Sequence, residues 1–161
     1  MGVSHTHANQ PEWLHGHPHE PNLTPPAGDA SFSVTAAGCQ TTVTVDQLRT
    51  LPFIEIGNCF IVSTGHGVSG PFVFGGVLLA DFLAQFLPAD QHWRFVDIVS
   101  VDGFGTRLTP ADLAAPRPPL LAWQIDHTAM NRKQGLVRLI VPGEVNDALR
   151  QVKWIDCIRV E

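Results

Sequence analysis

The stretch that most constrains what this chain can fold into is residues 135–154, GLVRLIVPGEVNDALRQVKW. Its apolar run from Leu136 to Val141 carries one charge, Arg138, and stops at Pro142-Gly143. A polar loop follows, and the chain re-enters a strand-like segment at Val152-Lys153-Trp154. A cation inside an otherwise buried strand is costly unless something anionic meets it. Two more cations, Arg150 and Lys153, stand where the loop meets the next strand. Guanidinium and ammonium groups converging beside backbone N–H groups make a seat for phosphate or another compact anion. The alternative is that Arg138 and Lys153 pair with nearby carboxylates such as Glu144 or Asp156.

At 161 residues the chain has the length of one domain with a substantial core. With 44% apolar and 16% charged residues it reads as a folded body. A net charge of −5 and the lack of any basic run speak against nucleic acid as a partner. No apolar run reaches the roughly 18–20 residues that a helical membrane span needs. The N-terminus lacks the basic and apolar regions of a signal peptide, so the expected location is cytoplasmic, or periplasmic if an upstream leader is missing. Cys39, Cys59 and Cys157 are far apart and form no CxxC pair, which excludes a disulfide scaffold and a zinc finger.

Residues 1–30 read as a flexible tail rich in histidine and proline. His5, His7, His15, His17 and His19 include imidazoles two apart, a pattern that suits opportunistic binding of Zn, Cu or Ni. The folded domain is expected over 31–161. Phe32–Thr35 and Thr42–Val45 read as a strand pair around Ala37-Gly38. Thr44-Val-Asp-Gln47 is a capping box that opens a short helix ended by Pro52. Phe53–Ile56 and Phe60–Val62 read as two strands flanking Gly57-Asn58-Cys59, and Ser63–Gly70 as a small-residue loop holding His66. Leu79, Phe82, Leu83 and Phe86 repeat at helical spacing, which predicts a helix over Val77–Leu87. Trp93–Val101 and Leu120–Ile125 read as strands, with a short helix from Thr109-Pro110 between them and a polar connection over Asp126–Gln134. Strands outnumber helices and most connections are too short for βαβ crossovers, so the expected class is α+β: a mixed, β-rich domain with short helices.

Five segments in this order resemble the sulfite-oxidase-type molybdopterin-binding domain. They are TVDQLRTLP (Thr44–Pro52), FGGVLLADFL (Phe74–Leu83), Val101-Asp102-Gly103-Phe104, LLAW (Leu120–Trp123) and the ending LVRLIVPG…LRQVKWIDCIRV. The chain resembles a small, stand-alone member of that family over roughly Phe32–Glu161. The resemblance implies the family's fold and a molybdopterin cofactor whose dithiolene holds molybdenum and whose phosphate needs basic partners. Arg138, Arg150 and Lys153 fall where the family places such groups. It also implies one cysteine thiolate as the protein's metal ligand, a soft donor that binds deprotonated. Cys59 lies in that region, although a strict alignment of the strand sets Gly57 at the ligand position. The family's Asn-Gly turn is Asp126-His127 here.

The function expected from the resemblance is a molybdopterin-dependent oxidoreductase, performing oxo-transfer or reduction on a small anionic or carbonyl substrate. His66, between glycines, and Arg107, after the DGF turn, are the expected catalytic residues that steer that substrate. A small molecule or a redox partner protein would be the partner. The alternative is a non-catalytic module that kept the fold, lost the metal and serves as a subunit of a larger assembly.

Overall fold

The structure, a computed structural model, describes residues 30–63, 67–142 and 151–161. The histidine-rich tail, His66, Glu144 and Arg150 lie outside the described residues.

Two sheets carry the fold. The first is ordered β2-β1-β11-β5-β6, from β1 (Phe32–Ala36), β2 (Cys39–Val43), β5 (Val96–Ser100), β6 (Gly105–Leu108) and β11 (Ile155–Val160). The second is ordered β10-β9-β7-β4-β3, from β3 (Ile54–Ser63), β4 (Gly67–Leu78), β7 (Leu120–Ile125), β9 (Arg138–Ile140) and β10 (Val152–Lys153), with β8 (Thr128–Ala129) paired to β7. Three short helices, α1 (Val45–Leu48), α2 (Leu79–Leu83) and α3 (Pro110–Leu113), complete it. The class is α+β, as expected from the pattern of strands.

Local signals act where the side chains are short-range. Thr44 and Thr109 each close a full capping box, with Gln47 and Asp112 answering from the third helical position. Ala37 and Gly38 both take positive φ at the β1–β2 turn, the backbone a two-residue hairpin needs. Asp126 and His127 do the same between β7 and β8, so the expected polar connection begins as a hairpin.

Other expectations give way to pairing. Val77 and Leu78 are the last residues of β4, opposite Leu121 and Leu120, so the helix begins only at Leu79. The ladder prevails over helical periodicity there because Val77 buries its side chain and both residues complete backbone hydrogen bonds with β7. The two strands expected around Gly57-Asn58-Cys59 are one long strand, β3, made irregular within. At Trp154, φ is +53°, and the chain leaves the second sheet as β10 and joins the first as β11.

Alternation gives the second sheet two apolar faces. Val77, Leu121, Trp123, Leu139 and Val152 pack with Phe32, Val34, Ile98, Ile158 and α2 in the core between the sheets. Cys59, Phe74, Leu120, Ala122, Ile125, Met130 and Ile140 form a second cluster on the opposite face. That second face is where the charged and sulfur-bearing residues gather.

Candidate cofactor site

In β9, Arg138 is two residues from Ile140 and therefore shares its face, the face of the second cluster. Arg138 stands opposite Ala122 on one side and opposite Lys153 on the other. The two cations are thus neighbours across the β9–β10 ladder. Gly135 makes this possible: at φ +115°, a Cβ there would lie 2.7 Å from Lys153 Cβ and 2.8 Å from Arg138 Cγ.

Arg138 is only 8% exposed. Its Nη1 donates to the Gln134 carbonyl at 3.1 Å, while its Nε is buried with no hydrogen-bond partner. Burial pushes its guanidinium down to about 10, which leaves it protonated at neutral pH. Lys153 is lowered as well, first by burial and then by the charge of Arg138, with Asp102 pulling the other way. The ammonium lies over the Trp154 ring, 4.2 Å from its centroid, and the indole Nε1 donates to the Arg132 carbonyl at 2.6 Å. No ion pair joins Arg138 or Lys153 to a carboxylate among the described residues. Pairing with Asp156 does not occur; that side chain is exposed on β11.

Cys59 reaches the same face through a bulge. Ile56 pairs with Phe74 and Cys59 with Phe72, so three steps on β3 match two on β4. Asn58, at φ +55°, absorbs the extra residue. Without it, Ile56 and Cys59 would point to opposite faces; with it, Cys59 is 1% exposed in the cluster that Ile56 packs against. The thiol lies 3.5 Å from the Gly57 carbonyl and 3.6 Å from that of Ile56. Arg117, in the proline-flanked segment before β7, covers it. Its Nη2 is 3.6 Å from Sγ and donates to the Gly57 carbonyl, while Nη1 reaches the carbonyls of Pro142 at 3.4 Å and Asn58 at 3.5 Å. Burial pushes the Cys59 thiol up, and the charge and hydrogen bond of Arg117 pull it down.

Gln151 closes the arrangement between these groups. It is 9% exposed, and its Nε2 donates to the Phe60 carbonyl, beside Cys59, at 3.3 Å. Neither Arg117 nor Gln151 stands out in the sequence. The available signals were an arginine held extended by prolines at 116, 118 and 119, and an amide at a buried position between two cations.

The structure brings Cys59, Arg138 and Lys153 to one face. Arg107 stands apart on the first sheet. It pairs with Asp97 across β5–β6, with Nε 2.7 Å and Nη2 3.0 Å from the carboxylate oxygens, and its guanidinium stacks 3.7 Å from the Phe95 ring centroid. Its Nε and Nη2 are both engaged there. Cys157 is buried on β11 and Cys39 is exposed on β2, so Cys59 is the only described cysteine on the cationic face.

The residues present fit an anionic, sulfur-ligated cofactor. A buried guanidinium that no described carboxylate neutralises asks for an anion, and a thiol beside an arginine is a soft donor suited to a metal of that kind. No group of three or more His, Cys, Asp or Glu among the described residues forms a metal cage by itself.

A sequence model of a protein family described as oxidoreductase molybdopterin binding domain matches residues 29–161. Among solved structures, the chain is similar to the sulfane dehydrogenase SoxCD from Paracoccus pantotrophus, with a TM-score of 0.65 at 14% identity. That match covers 81% of this chain and 37% of the other, so the likeness is one of fold and spans well under half of the relative. No curated protein matches the chain.

Proposed function

Because the chain belongs to the oxidoreductase molybdopterin binding domain family, we propose that it holds a molybdopterin cofactor on the cationic face of its second sheet. In this reading it acts as an oxidoreductase on a small anionic or carbonyl substrate. The observation that carries it is Arg138: a buried guanidinium whose Nε has no partner and which no described carboxylate neutralises. A protein tolerates such a charge best where an anion completes the site. Arg138 and Lys153, joined by Arg150 from outside the described residues, would hold the cofactor's phosphate. Cys59 would supply the thiolate ligand.

When bound, the cofactor supplies two-electron redox chemistry. The chain's own part is binding and electrostatics. Arg138 and Lys153 neutralise the anionic end. Arg117 fixes the β3 bulge through the Gly57 and Asn58 carbonyls and sets a positive charge beside Sγ, which favours loss of the thiol proton against the effect of burial. The apolar wall of Phe74, Leu120 and Ile140 keeps water from that sulfur. Electrons would pass to or from a redox partner protein.

A second reading has its own observation. Cys59 is 1% exposed and its thiol is pushed up by burial, which suits a chain that keeps the fold and the anion seat without the metal.

Metal analysis and released-pterin fluorescence on protein expressed in a molybdenum-replete host separate the two. Near-stoichiometric molybdenum and pterin, with molybdenum lost in Cys59→Ala, are expected. Pterin whose metal is indifferent to Cys59 would remove the ligand assignment. A well-folded protein with neither would leave the non-catalytic module.

A further inference from the structure

Among the described residues two buried side-chain polar atoms have no hydrogen-bond partner, and they are of opposite kind: the donor Arg138 Nε and the acceptor Gln151 Oε1. The identity of the second is fixed by its neighbour. The Phe60 carbonyl can only accept, so the amide end facing it is Nε2 and the oxygen points elsewhere. Gln151 immediately precedes β10, two residues before Lys153, which pairs with Arg138, so acceptor and cations are spaced by roughly 7 Å along the chain. A bare acceptor and a bare donor, nine-tenths buried on one face, describe a ligand with an anionic end and an N–H end.

We propose that Gln151 Oε1 accepts a ring or amino N–H from the ligand whose anionic group lies on Arg138 and Lys153. The chemical class is a phosphorylated heterocycle with an aminopyrimidine or cyclic-amide edge. A pterin has that edge. The assignment rests on the function proposed above and deepens it, since it names the residue that reads the ring rather than the phosphate. It also explains why a glutamine stands at this buried position: its nitrogen ties the entry to β10 to the Cys59 strand while its oxygen is held for the ligand.

The test compares wild type, Gln151→Met and Gln151→Glu, each expressed in a molybdenum-replete host and then dialysed. Retained pterin is measured by fluorescence over time, and the thermal midpoint of each protein is recorded as a folding control. Loss of one neutral hydrogen bond predicts pterin release from Gln151→Met about tenfold faster than from wild type. Gln151→Glu keeps acceptor oxygens but loses the donor to Phe60, so it should hold pterin at least as well as wild type despite a lower thermal midpoint. Equal release from wild type and Gln151→Met overturns the assignment and leaves the cofactor reading intact. Release from Gln151→Glu as fast as from Gln151→Met also overturns it, because the Phe60 tie alone would then matter. If Gln151→Met does not fold, Gln151→Glu decides by itself: retention supports the assignment and loss overturns it. Wild-type protein free of pterin overturns both this assignment and the function it rests on.

Discussion

Lys153 stands directly opposite Arg138 in the β9–β10 ladder, two cations on one face, with Gly135 packed into the space between their stems. Like charges in that position destabilise a sheet, and a buried charge that no described carboxylate neutralises costs more. The ligand-free chain therefore gives up stability at this place.

Replacing the charge should recover it. Arg138→Met is expected to stabilise the cofactor-free protein by about 1–4 kcal/mol, the range found when buried ionic groups yield to apolar ones of similar size. Phosphate or sulfate should raise the thermal midpoint of wild type and leave that of Arg138→Met unmoved. Calorimetry with increasing phosphate checks this, and an equal response of the two proteins would refute the anion seat.

The pH dependence has a defined sign. The folded-state pKa of Arg138 is about 10, below the ordinary guanidinium value. Between those values the unfolded chain binds the extra proton, so stability rises with pH there, and below about 10 the cost is fully present. The advantage of Arg138→Met over wild type should stay flat from neutral pH to about 9 and narrow above 10. Urea midpoints of both proteins across that range measure it.

Arg117 donates to carbonyls on either side of the site, at Gly57, Asn58 and Pro142. Arg117→Met should cost about 1–3 kcal/mol, since these acceptors lose a charged donor. It should also loosen the bulge that directs Cys59 inward. Iodoacetamide should label exposed Cys39 first in wild type, with Cys59 protected, and reach Cys59 sooner in the variant. Mass spectrometry of the labelled peptides reads the order.

At Gly76 a Cβ would lie 1.9 Å from the Leu121 carbonyl oxygen and 2.7 Å from Ala122 Cα. Both are backbone atoms of the adjacent strand, so no rotamer change relieves the clash. Gly76→Ala should destabilise by about 3 kcal/mol or more, seen as a lowered urea midpoint.

Arg107 and Asp97 form a bidentate pair stacked on Phe95, away from the cationic face. Arg107→Met should leave the largely buried Asp97 carboxylate unpaired and cost about 3 kcal/mol in stability. Pterin content would be the discriminating readout: a fall without loss of stability would return Arg107 to the ligand site.

What the sequence by itself determined is what short-range chemistry dictates. The capping boxes at Thr44 and Thr109, the turn at Ala37-Gly38, the strand Leu120–Ile125 and the isolated cation in the Leu136–Val141 run were all readable, because each depends on neighbours a few residues away. The same is true of the family and its α+β class, which rest on the order of such segments. Only the tertiary structure decided the rest. Helical spacing at Val77 and Leu78 yielded to pairing with β7, and the face of Cys59 was set by one extra residue in β3, invisible without its partner strand. Arg117 and Gln151 join the site across separations of 58 and 91 residues. Side chains so far apart become neighbours only when the sheet has formed, and no local pattern encodes that meeting.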